Sequence, residues 1–177
     1  MRSLKKIVAI GPESTGKSTL CALLSSHFQT AWVAEYAREY LLTHGTQYSY
    51  EDLLTIARGQ LAGEDAAYAY FQAKGKPIFI DTDMYVMKVW SEFVFGKCDP
   101  FILYQIAKRE YDLYLLCGTD LPWEKDELRE YPDQETREKL FLIYKDLLIN
   151  QSVPWVEIRG RHEHRIHKAI EAVNQIL

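Results

Sequence analysis

Hydrophobic positions along the chain fall into two alternating patterns. Short, dense, apolar runs rich in β-branched residues occupy 5–10, 31–34, 77–83, 111–117 and 153–158, as buried parallel strands require. Between them, apolar residues recur at three- and four-residue steps, the period of a helix with one face inward. Leu20, Leu23, Leu24 and Phe28 mark the first helix. Leu53, Ile56, Ala57 and Leu61 mark one opened by Ser49 and running to about 71, ended by Gly75-Lys76-Pro77. Val86, Trp90, Phe93 and Val94 define an inward face over 84–95, and a further helix is predicted over 101–109. Leu140, Phe141, Tyr144, Leu147 and Leu148 point inward from 137–148, and Ile166, Ala169, Ile170, Val173 and Leu177 form the last stripe. This alternation predicts one α/β domain over 1–177, a three-layer α/β/α sandwich around a five-stranded, mostly parallel sheet. Pro154 suits a strand start or an edge.

The turn after the first strand carries Gly11-Pro-Glu-Ser-Thr-Gly-Lys-Ser18. This is the P-loop pattern G-x-x-x-x-G-K-[ST], in its required place between a strand and a helix. A loop that wraps a polyphosphate must aim backbone N–H groups inward, and Gly11 and Gly16 remove the Cβ atoms that would obstruct them. Lys17 supplies charge for the β- and γ-phosphates, and the Ser18 hydroxyl is a ligand for Mg²⁺. The following helix turns the positive end of its dipole to the same spot.

Ligands of open α/β sheets sit beyond the carboxyl ends of the strands. The second strand runs into Glu35-Tyr36-Ala37-Arg38-Glu39, and the third ends in Asp81-Thr82-Asp83. Asp81 occupies the place of a Walker B acid near the magnesium shell. Thr82 follows it where motor ATPases carry Glu, which tilts the chemistry toward a transferase. Glu35 and Glu39 fit equally an ion-paired helix start with Arg38. Asp83 serves as ligand or as helix N-cap. Arg58 and Gln60 read as solvated side chains, and Trp90 as core or as a ring against an acceptor. Residues 118–133 are charged and twice broken by proline, a length that points to a lid of about 118–137 rather than a plain surface insertion. Its cations are Arg129 and Arg137.

Composition narrows the function classes. A net charge of −4 argues against a nucleic-acid partner. No run reaches the roughly 20 apolar residues of a membrane span. Cys21, Cys98 and Cys117 lack any ligand spacing and read as reduced thiols of a cytoplasmic protein. His162, His164 and His167 lack the acids or cysteines that would complete a metal site, and their neighbours read as a solvated helix start. The sequence is compatible with a homo-oligomer.

Joined together, residues 11–18, 32–40, 56–60, 81–83, 111–116 and 120–129 resemble the kinase domain of NadR-type proteins, within the P-loop nucleoside and nucleotide kinases. That resemblance implies a ribosylnicotinamide kinase, using ATP and Mg²⁺ to phosphorylate the 5′-hydroxyl of nicotinamide riboside to nicotinamide mononucleotide in NAD salvage. It implies nucleotide contacts from Gly11, Glu13, Ser14, Thr15, Gly16, Lys17, Ser18, Thr19 and Arg137. Metal contacts fall to Ser18 and Asp81. Acceptor contacts fall to Glu35, Tyr36, Arg38, Asp81, Asp83, Trp90 and Trp123. Lys17, Glu35, Asp81 and Arg129 are the expected catalytic set, with the base either Glu35 or Asp81. The loop at Arg159 and Gly160 is the expected place of adenine. NadR proteins also carry a nucleotidyltransferase domain; this chain carries none, so a stand-alone kinase domain is expected. A regulatory P-loop ATPase, or a kinase for another nucleoside or nucleotide, fits the same motifs.

Overall fold

The computed structural model describes residues 4–177. Five strands, β1 (Lys6–Ile10), β2 (Trp32–Val33), β3 (Ile78–Asp81), β4 (Leu113–Cys117) and β5 (Trp155–Ile158), form one sheet in the order β2-β3-β1-β4-β5. Every pairing is parallel: Val8 lies opposite Ile80 on one side and Tyr114 on the other. β1 is therefore central, and its carboxyl end opens between β3 and β4, where such sheets bind ligands.

Period-two alternation sorts the strand residues between two cores. Ile7, Ala9, Phe79, Leu113 and Leu115 pack against α1 (Lys17–His27) and α7 (His162–Asn174) through Leu24, Ala169 and Val173. Val8, Ile10, Ile80, Tyr114 and Leu116 face α4 (Met84–Phe95) and α6 (Gln134–Ile149) through Val86, Val89, Phe141 and Leu148. A third apolar cluster joins α2 (Tyr36–His44), α3 (Tyr50–Phe71), α4 and α5 (Pro100–Lys108). None of the described helices is long and apolar enough to cross a membrane.

Capping chemistry set several ends that periodicity missed. α5 begins at Pro100, because Asp99 accepts the Phe101 N–H and proline suits the first helical position. α6 begins at Gln134, three residues before the expected start, because Asp133 accepts the Thr136 N–H. Ser49 and Asp52 form a capping box at the head of α3. The inward face of α4 is Met84, Val86, Met87 and Val89, while Phe93 and Val94 are exposed. That helix is apolar nearly all round, so its period could not choose a side.

Candidate active site

The loop after β1 has backbone geometry that few residues tolerate. Gly11 has φ +140°, and a Cβ there would lie 2.6 Å from the Cys117 carbonyl oxygen of β4. Gly16, at φ +78°, and Ser14, at φ +55°, also take the left-handed region. The Thr15 hydroxyl donates to Pro12 O at 2.7 Å, and the Lys17 ammonium donates to the same oxygen at 2.8 Å. α1 starts at Lys17 and directs its first N–H groups into the loop.

Two carboxylates face this cradle from adjacent strand tips. Asp81 ends β3 with 0% exposure, and the Ser18 hydroxyl donates to its Oδ2 at 2.5 Å. Burial raises the Asp81 pKa, opposed by the Lys17 charge and the Ser18 hydrogen bond. Glu35 follows β2, at the N-cap position of α2, yet makes no capping hydrogen bond with its side chain. Burial raises its pKa and the Asp81 charge raises it further, while Lys17 and Arg38 oppose. Two acids thus share one lysine, an arrangement suited to holding a cation and to taking a proton.

The turn at 81–83 sends its acids in opposite directions. Thr82 has φ +78°, an uncommon conformation for a β-branched residue. Asp81 faces the cradle, whereas Asp83 turns into the core as the N-cap of α4. Its carboxylate accepts from the Tyr85 and Val86 N–H groups and from the Tyr114 hydroxyl. Burial pushes Asp83 up to about 7, against the pull of those donors.

Residues 118–133 contain no helix or strand and lie against the cradle. Glu13 accepts from the Glu130 N–H (2.9 Å), the Tyr131 N–H (2.6 Å) and the Trp123 indole (3.3 Å). Ser14 Oγ accepts from the Glu124 N–H. Arg38 pairs with Asp126, reaching both carboxylate oxygens. Between cradle and segment lies a cavity of about 460 Å³, walled by Trp90, Phe93, Tyr48 and Tyr131 and edged by Glu35, Arg38 and Arg129. That volume is in the range of small-molecule sites.

The sequence matches an AAA domain family over residues 6–165. The chain belongs to that family. The AAA domain is 26% identical over 181 residues to the trifunctional NAD biosynthesis/regulator protein NadR of Salmonella typhimurium, covering 98% of this chain and 43% of the relative. The domain thus spans less than half the length of that curated relative. Among solved structures it is similar to a NadR protein in complex with NR (TM-score 0.81, 23% identity, 98% of this chain, 49% of that one). It is also similar to thymidylate kinase from Ehrlichia chaffeensis (TM-score 0.69, 11% identity, 97% and 99%). The architecture is the P-loop fold of nucleotide kinases.

The AAA domain brings Lys17, Ser18, Thr19, Glu35, Arg38, Trp90 and Arg129 to one cavity, with Asp81 directly behind Ser18. Other expected site residues lie elsewhere. Asp83 serves the helix cap. Tyr36 packs its ring over Gly59, where a Cβ would come within 2.2 Å of it. Trp123 is held by Glu13 rather than facing the cavity. Arg137, expected as a lid cation, is 2% exposed and donates to Ser14 O, Leu121 O and Gln134 Oε1, so it fastens lid to cradle. Gln60, read as solvated, is 2% exposed: it accepts from the Tyr36 N–H at 2.8 Å and donates to Asp81 O at 3.1 Å. Arg165, within the supposed solvated helix start, is buried and donates to Thr15 O, Gly118 O, Gly160 O and Asp120. Polar residues on amphipathic helices carry no sequence mark of burial, and only the fold shows what they reach.

Proposed function

We propose that this domain is an ATP-dependent kinase that phosphorylates the 5′-hydroxyl of nicotinamide riboside. The observation that carries the proposal is that Glu35 and Ser18 line one aromatic-walled cavity, with Asp81 hydrogen-bonded behind Ser18. The relation to NadR supports the choice of acceptor.

In this reading the triphosphate lies in residues 11–18, and its oxygens replace Pro12 O as the partner of Lys17. Ser18 and Asp81 fit Mg²⁺: a hydroxyl beside a buried carboxylate is an oxygen set for a small hard cation, and a cation would relieve Asp81 of its burial cost. When bound, the ion neutralises charge on the phosphates. Glu35 is the better placed base, since its carboxylate lines the cavity and has no competing capping bond. It accepts the proton of the attacking hydroxyl as the new O–P bond forms and the bond to the β-phosphate oxygen breaks, leaving ADP. Arg129 and Arg38 are the cations at the cavity edge. The pyridinium of the acceptor suits this chamber: aromatic faces attract such a cation by about 0.5–2 kcal/mol, and Glu35, Asp126, Glu127 and Glu130 line it.

A panel of acceptors with Mg-ATP, followed by phosphorus transfer to product, tests the proposal. Nicotinamide riboside should be phosphorylated well ahead of uridine and adenosine. Equal rates with neutral nucleosides would remove the cation argument. ADP release that needs no acceptor would make the domain an ATPase instead.

A further inference from the structure

We propose that Gln60 is a positioning residue that sets the distance between Glu35 and Asp81 by joining the two strand tips that carry them. The inference rests on the kinase reading above and concerns how its acids are held.

β2 is only two residues long, and its ladder with β3 stops at Val33 opposite Ile80. Asp81 belongs to that ladder's inner neighbour and stays in register with Ala9 of β1. Glu35 lies two residues past the last paired position of an edge strand. The sheet therefore fixes Asp81 but not Glu35. The missing cross-link comes from α3. Gln60 Oε1 accepts the Tyr36 N–H, the first of α2, and Gln60 Nε2 donates to the Asp81 carbonyl. Its neighbour Gly59 lets the Tyr36 ring settle on the same helix. Residues 35–36 are thus pinned by one polar and one steric contact from consecutive residues.

The side-chain chemistry matches the task. The bridge requires one acceptor and one donor at the end of a reach of several bonds, which an amide supplies and a carboxylate does not. Both groups it satisfies are backbone atoms, the Asp81 carbonyl in a buried bond and the Tyr36 N–H in a partly buried one, and a buried group that loses its partner is costly.

The test compares the full chain with Gln60→Met and Gln60→Glu. Gln60→Met keeps the volume and removes both hydrogen bonds. Its kcat should fall roughly 10- to 100-fold, the scale of an ångström-sized misplacement, with KM for Mg-ATP within about threefold of wild type. Because Gln60 acts through Glu35, that loss should disappear when Glu35→Gln is already present. Gln60→Glu keeps the length of the side chain and, with its carboxyl protonated in this buried place, one donor and one acceptor, so its kcat should lie well above that of Gln60→Met. A kcat loss that persists in the Glu35→Gln background, or a kcat equal to wild type, overturns the proposal. If Gln60→Met does not fold, Gln60→Asn takes its place: its amide is one methylene short of spanning both groups, and a kcat equal to wild type overturns the proposal as well. Wild-type protein that transfers phosphate to no acceptor would defeat the kinase reading, and this inference with it, before any variant is made.

Discussion

Glu35 is held in the structure at a place where its proton is retained to higher pH than in water. Burial is the first cause and the Asp81 charge the second. A base must be unprotonated to act, so kcat should fall as pH drops through that raised pKa and level off above it. Glu35→Gln should lower kcat by roughly 10²–10⁴ and flatten the acid limb; a pH series of single-turnover rates checks both. Asp83 makes the opposite kind of statement, about stability. Its folded pKa of about 7 lies above the ordinary carboxylate value, so between those two values the native state keeps a proton that the unfolded chain releases. The contribution of Asp83 is therefore fully present in acid and is lost as pH rises toward 7, by about 1.4 kcal/mol for each unit of that window. Asp83→Asn retains the cap and cannot titrate. Urea midpoints from pH 4.5 to 8 should show a flatter slope for the variant, and an unchanged slope would remove the argument. In the sequence, Asp81 reads as an acid of the magnesium shell and Asp83 as ligand or helix N-cap; the left-handed Thr82 between them turns Asp83 to the cap, and no local pattern announces that turn.

Elements were legible where a pattern has one solution. The strand-loop-helix at 6–27 followed from composition and spacing, because glycine, lysine and serine at those steps have few other uses. The lid was legible as a stretch without periodicity, but its attachment was not, since hydrogen bonds to backbone N–H leave no residue signature. Glu13 shows this well. It lines the cavity as expected of the cradle, and its side chain also accepts three N–H groups from 123–131, a role that spacing did not suggest. Those bonds are charge-assisted, worth about 1.5–3 kcal/mol each at most and less where solvent competes. Glu13→Ala should lower stability by about 1–3 kcal/mol and speed proteolytic cleavage within 118–133, with α1 and the sheet untouched. Cleavage at the wild-type rate would mean that the lid is held by its other ties, among them Arg137, Arg38 and Ser14, and not by Glu13.

At the scale of the whole molecule, alternation of strand and helix was enough to give the class and the three layers, because parallel strands buried on both faces read as continuous apolar runs. The strand order was not accessible from alternation alone. Nor were the long-range polar ties, since Arg165 looks like any arginine on a charged helix. Arg165→Met should cost roughly 1–3 kcal/mol by leaving the Thr15, Gly118 and Gly160 carbonyl groups without their donor, while Asp120 keeps the Gly160 N–H. Urea denaturation measures that, and nucleotide affinity should weaken beside it because Thr15 O loses its anchor.

The same tie has a consequence for synthesis. Arg165 grips a carbonyl 150 positions earlier, so the phosphate cradle leaves the ribosome long before the side chain that completes it. Contacts of such separation form late. Stalled nascent chains that end before α7 should carry β1 and its loop in full and still fail to retain nucleotide.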